Sequence, residues 1–244
     1  MLAQWFRPRG YPPQNWHPPD RNFPCLSANQ IHIWRAFLDM PERQLDALRK
    51  TLSEDELGKA SRFRFPDGRN HYMAARGILR QILAGYLETR PGLVRFRYGP
   101  SGKPELDSGR GDNTLRFSVS HSGGMALYAF SLGREVGVDI EQISNIPSAA
   151  VDDIARQYLP RMEGIWLKAC PARMRVKNFF RCWTRREAYL KAIGAGLSDA
   201  CPVPVQTACT RQWSTAHLHV HGGYAACIAV QGRGIGLKFW QWAG

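Results

Sequence analysis

Apolar and polar positions change their period several times along this chain, and each change marks a predicted element. Gln30 to Ala36 (QIHIWRA) alternates as a strand does. Pro41 to Lys50 opens with proline and glutamate, a favourable first helical turn. Ser53 with Glu56 three residues on has the spacing of a capping box, so a second helix starts there. From about Asp67 to Leu87 the apolar residues Tyr72, Ala75, Ile78, Leu79, Ile82, Leu83 and Tyr86 recur at helical spacing. The period then shortens. Val94 to Tyr98, Leu115 to Val119, Ala126 to Leu132 and Val136 to Ile140 read as short strands, with turn chemistry at Gly99 to Pro104. Gln142 to Lys177 reads as irregular or helical connections. Asn178 to Ile193 is an amphipathic helix that Gly194 and Gly196 end.

Two segments resemble each other. Gly123 to Gly133 (GGMALYAFSLG) and Gly222 to Gly232 (GGYAACIAVQG) are each a glycine pair, an apolar strand and a closing glycine, about a hundred residues apart. Glycine-bounded strands are common, so coincidence is one reading. The other is a pair of related α/β lobes with a ligand cleft between them. The expected division is a Pro-rich tail over 1–24, an N-terminal lobe over 25–133 and a C-terminal lobe over 134–244.

The 244 residues suffice for a sizeable core. No apolar run reaches the roughly 18 residues that span a bilayer. The N-terminus, rich in proline, arginine and tryptophan, lacks the apolar stretch of a secretory signal, so the cytoplasm is the expected location. None of the six cysteines has CxxC spacing, which favours free thiols over a disulfide frame or zinc. The formal charge of +13 suits a polyanionic partner: nucleic acid, a phosphorylated small molecule or an acidic protein. No helix-turn-helix, zinc-finger or RRM signature favours nucleic acid.

Four short segments carry candidate chemistry. In Gly137-Val138-Asp139-Ile140-Glu141 the alternation sends Val138 and Ile140 to one face and both carboxylates to the other, where they can grip a hard cation or simply form a solvent face. Trp183, Glu187 and Lys191 share one helix face, so Glu187 can join a metal site and Lys191 can meet a phosphate; a surface Glu–Lys pair is the alternative. Ser118 to Gly124 (SVSHSGG) offers hydroxyls and an imidazole to phosphate oxygens. Ser120 and His121 are neighbours on a strand, point opposite ways and do not make a nucleophile–base pair. Gly102-Lys103-Pro104 presents a lysine on a rigid turn. His217, His219 and His221 alternate on one strand face, a pattern more often a polar surface than a metal site.

Together and in this order, the four segments resemble the surfactin-type 4'-phosphopantetheinyl transferases. The family pattern is a GKP turn, a (N/F)xSHS segment, a G(V/I)DIE strand and a WxxKEAxxK helix followed by GxGL. Here these are Gly102 to Pro104, Phe117 to Ser122, Gly137 to Glu141, and Trp183 to Lys191 with Gly194 to Leu197. Lys59 to Arg80 also looks like the family's first lobe, so the resemblance spans about residues 30 to 200. It implies an α/β (α+β) fold of two pseudo-symmetric lobes, each a small sheet packed with helices. It implies transfer of 4'-phosphopantetheine from coenzyme A to a serine of an acyl or peptidyl carrier protein, with release of 3',5'-ADP. By the same resemblance Asp139, Glu141 and Glu187 hold magnesium or manganese, and Glu187, Glu141 and Lys191 are catalytic. Lys59, Arg76, Gly102, Lys103, Pro104, Ser120, His121, Asp139 and Lys191 contact coenzyme A. Arg186 stands where the motif usually has lysine, and Glu56 where some members carry a basic residue. A monomer is expected, with neither a specific nucleic acid nor a membrane as partner. The rival readings are a basic nucleic-acid-binding module and a relative that binds coenzyme A without catalysis; the intact acids count against the second.

Overall fold

A computed structural model describes residues 14–19, 23–107, 114–144, 146–196 and 212–244. In chain order, β1 (Gln30–Phe37) leads into helices α1 (Glu42–Arg49), α2 (Glu54–Ala60) and α3 (Pro66–Tyr86). A short hairpin, β2 (Phe96–Tyr98) and β3 (Pro104–Leu106), precedes β4 (Leu115–Ser122) and β5 (Met125–Leu132). The pattern then repeats. Strand β6 (Val136–Gln142) leads into α4 (Ser148–Tyr158), α5 (Arg161–Ala169) and α6 (Ala172–Ile193), and β7 (Trp213–Leu218) and β8 (Tyr224–Gln231) follow. A last strand, β9 (Gly236–Gln241), closes the chain.

The repetition is topological. Within the first sheet β5 lies between β4 and β1, and within the second β8 lies between β7 and β6, all antiparallel. The two similar glycine–strand–glycine segments therefore supply the central strand of each sheet. β9 departs from the repeat: it returns to the first sheet and pairs parallel with β1. Residues of the N-terminal tail fasten it there, since the Gln241 N–H donates to the His17 carbonyl and Trp16 packs edge-on against Phe239. Trp240 and Trp242 rest against the core of the first lobe.

That core joins one face of the first sheet to α3, through Trp34, Tyr128, Phe130, Ile78, Leu79, Ile82 and Leu83. The other face stacks on the second sheet, where Ile31, Ile33, Leu127 and Ala129 meet Val136, Val138, Ile140 and Ile228. α6 covers the far face of the second sheet with Ala188, Tyr189 and Ala192. The layers run helix, sheet, sheet, helix, a mixed α/β fold of small sheets packed with helices.

Several element ends differ from the sequence reading for physical reasons. The capping box at Ser53 is present, with the Ser53 N–H donating to Glu56. Gln142 to Lys177 contains two helices, and α6 begins at Ala172, before its amphipathic pattern becomes clear; a proline precedes each of these three starts, at 147, 160 and 171. Gly194 ends α6 at φ 72°, a left-handed cap that favours glycine. β7 stops at Leu218, so His219 and His221 lie beyond the strand; both are exposed, while His217 is turned toward Arg181 and Arg185. Among the described residues no cluster of three metal-ligating side chains forms there or elsewhere. Leu197, the last residue of the GxGL segment, lies outside the described residues.

Candidate active site

The site lies where the edge of the first sheet meets the edge of the second. Ser118, Ser120 and Ser122 alternate along β4 and face β6. The Ser118 Oγ accepts the Val138 N–H at 3.1 Å, and the Ser122 Oγ accepts the Gln142 N–H at 3.1 Å. The Ser120 Oγ donates to Asp139 Oδ1 at 2.8 Å, and the Ser122 Oγ donates to Glu141 Oε2 at 2.7 Å. Edge N–H groups of β6 that would otherwise need water are thus satisfied by side chains of the other lobe. The (N/F)xSHS segment is the strand that joins the lobes and aims two carboxylates.

α6 brings the rest. It sits close upon β6 because Gly137 has no side chain: a methyl there would overlap the Ala188 carbonyl oxygen and the Ala192 nitrogen. Ala229 and Cys227 keep the neighbouring strand low as well. The close approach places Lys191 Nζ 2.6 Å from Asp139 Oδ1 and 2.7 Å from the Ser120 Oγ. Glu187 lies one turn earlier, within electrostatic reach of both Asp139 and Glu141. Trp183, a turn earlier again, lies close enough to Glu141 to help draw its pKa down.

Three acids confined together resist ionisation. Asp139 is only 2% exposed, and burial raises its pKa against the opposing pull of Lys191 and Ser120. Burial raises Glu141, Ser122 pulls it back, and the charge of Asp139 raises it further. Burial and the charge of Asp139 raise Glu187, while Lys191 and Arg186 draw it down. Asp139 Oδ2 and Glu187 Oε1 are buried with no hydrogen-bond partner. An unpartnered buried carboxylate oxygen is costly, and a hard cation would satisfy both. The donor set fits such an ion, although among the described residues no three acids are drawn into one ligand cluster.

The remaining sequence candidates flank this centre. His121 keeps an open edge beside it; partial desolvation, then the charges of Lys191 and His71, lower its pKa. Sequence reasoning passed over His71, whose Nε2 lies 2.8 Å from Asp39 Oδ1. Gly102, Lys103 and Pro104 form the tip of the β2–β3 hairpin, with Gly102 at φ 77°. Lys103 reaches the end of α6, donating to the Ala192 carbonyl at 3.1 Å. At the other side of that hairpin, Lys59 Nζ stands 3.7 Å over the Tyr98 ring.

Arg76 stands apart from the acids. Its guanidinium is buried and binds Glu56, the Nε at 2.7 Å from Oε1, with one NH2 edge toward Tyr98. Arg80 holds the other Glu56 oxygen at 2.7 Å and donates to the Pro91 and Val94 carbonyls. The acid at position 56 is therefore the hub of a buried ion network. Its capping-box spacing was legible, but its partners about three and four turns into α3 were not.

The 4'-phosphopantetheinyl transferase superfamily pattern matches residues 135–233, and the 4'-phosphopantetheinyl transferase N-terminal pattern matches residues 39–132. The 4'-phosphopantetheinyl transferase HetI of Nostoc sp. is 40% identical over 237 residues, 93% of this chain and 98% of that protein. This chain belongs to the 4'-phosphopantetheinyl transferases. It is a transferase of the family that moves phosphopantetheine from coenzyme A to carrier proteins. The 4'-phosphopantetheinyl transferase gsp of Aneurinibacillus migulanus is 35% identical over 120 residues, 49% of this chain and 46% of that protein. A putative 4'-phosphopantetheinyl transferase of Synechocystis sp. is 32% identical over 169 residues, 69% and 67% of the two chains. No helix among the described residues is long and apolar enough to cross a membrane.

Proposed function

We propose that the cleft between the lobes binds coenzyme A and that Asp139, Glu141, Glu187 and Lys191 drive the transfer of its phosphopantetheine to a serine of an acyl or peptidyl carrier protein. The observation that carries this reading is the pair of orphaned buried oxygens, Asp139 Oδ2 and Glu187 Oε1, beside a lysine already aimed into the site. Asp139, Glu141 and Glu187 would hold the ion, magnesium or manganese. There such an ion would supply charge neutralisation for the pyrophosphate, whose bond to the leaving 3',5'-ADP breaks.

The chain's own groups do the rest. Lys191 has donors directed at Asp139 and Ser120, and a phosphate oxygen entering beside them takes up its charge. Lys103, Lys59 and His121 line the approach and hold the nucleotide phosphates, with Ser120 at the edge and Arg76 offering only the guanidinium edge toward Tyr98. The carrier serine attacks the β-phosphorus in line. Glu187 or Glu141 takes its proton, directly or through a water. The surplus positive charge steers both the polyanionic coenzyme and an acidic carrier. The two lobes of one chain frame the whole cleft, which supports action as a monomer. The free thiols Cys25, Cys170, Cys182 and Cys227 suit the cytoplasm.

The test is incubation with coenzyme A, magnesium and apo-carriers, read by mass spectrometry. The expected result is a carrier bearing phosphopantetheine, lost when EDTA removes the ion. An adduct that forms equally well in EDTA would overturn the metal's role; no adduct on any apo-carrier would overturn the transfer itself.

A further inference from the structure

Glu135 lies just before β6, at the junction of the lobes. One of its oxygens, Oε2, accepts Lys103 Nζ at 3.2 Å; the other, Oε1, accepts Arg116 Nε at 3.2 Å. Lys103 also donates to the Ala192 carbonyl at the C-terminal end of α6, where a cation is favoured. An ammonium has three donors. Among the described residues Glu135 and Ala192 engage two, which fixes the direction of the third. The lysine side chain is mostly buried, 15% exposed, so its path is set by its surroundings as well as by its head group. Glu135 is itself held in register, since its carbonyl accepts the Gln231 N–H of β8 and its N–H meets the Gln231 side chain.

We propose that Glu135 is a positioning residue: it holds Lys103 extended across the lobe junction so that a remaining donor meets a phosphate of coenzyme A. This rests on the reading of Lys103 as a phosphate contact. The sign of the effect is informative. Glu135 is an anion beside a site for a polyanion, so its removal by charge alone should tighten binding. A positioning role makes the opposite demand: without Glu135, Lys103 gains rotamer freedom that binding must remove.

The experiment is a double-mutant cycle read by calorimetric titration with coenzyme A, supported by steady-state kinetics. Glu135→Gln should raise the dissociation constant about three- to tenfold. It should raise the KM for coenzyme A more than it lowers kcat, and leave the KM for the carrier and the melting temperature near wild type. In a Lys103→Met background, Glu135→Gln should weaken binding no further. Binding that is unchanged or tighter in Glu135→Gln overturns the proposal, as does an equal loss in both backgrounds. If Lys103→Met binds coenzyme A as the wild type does, Lys103 is no phosphate contact and the proposal falls with that assignment. If the wild type binds no coenzyme A at all, the site reading fails first. Should Glu135→Gln fail to fold, Glu135→Asp keeps the charge but draws it back from Nζ, and the same weakening is expected.

Discussion

Trp34 and Asp139 occupy equivalent places in the two lobes. Each pairs directly with the central strand of its sheet, Trp34 with Tyr128 and Asp139 with Cys227, and these partners align when the two glycine–strand–glycine segments are superposed. The next equivalent pairs are Ala36 with Glu141, and His32 with Gly137. In the first lobe this face carries large rings that fill the space beneath α3, and the polar atoms are paired: the Trp34 indole N–H and His32 Nδ1 both meet the Tyr86 hydroxyl. In the second lobe it carries small residues and two acids, so α6 comes down onto the sheet and its Glu187 and Lys191 reach those acids. One topology, with ring-sized residues on one copy and glycine and alanine on the other, yields an apolar core in one place and a cluster of buried acids beside a lysine in the other.

The buried acids show the same contrast. Glu56 is fully buried, and burial alone would raise its pKa; Arg76, the Ser53 N–H and Arg80 outweigh that and hold it below the ordinary glutamate value. Asp139 and Glu187 have fewer partners, an orphaned oxygen each, and raised pKa values. A fully paired carboxylate stabilises a fold; an incompletely paired one is held ready for a ligand.

The largest effect that would break this contrast is at Glu56. Glu56→Ala leaves two buried guanidinium groups without their shared acid and should cost about 3–5 kcal/mol, measured by urea unfolding. A loss below about 1 kcal/mol would mean the network is no more than a surface pair. The comparison is sharpened at Gly137. Gly137→Ala should cost about 1–3 kcal/mol in the same assay and should also depress transfer, because lifting α6 withdraws Glu187 and Lys191 from Asp139. Wild-type turnover in that variant would show that close approach of α6 is unnecessary.

Much of this was legible in the chain. The alternation in Gly137 to Glu141 and the helical spacing of Trp183, Glu187 and Lys191 put the acids and the lysine on shared faces, because one strand face and one helix face are local properties; their part in a site came from the family resemblance. The paired glycine-bounded strands announce the repeat. What sequence could not show is convergence over distance. That Ser118 and Ser122 suture β4 to β6, that β9 returns to the first sheet, and that Glu135 reaches Lys103 all depend on contacts between segments far apart in the chain. Nor could spacing show that Arg76 and Arg80 turn inward to a buried glutamate, since basic residues on amphipathic helices usually face water.

The acids of the second lobe are proposed to bind a divalent ion. Calorimetric titration of magnesium into the protein saturated with coenzyme A tests it most directly. The wild type should bind the ion, and Asp139→Ala should show no binding while still unfolding cooperatively. Magnesium binding by Asp139→Ala with wild-type affinity would contradict the account.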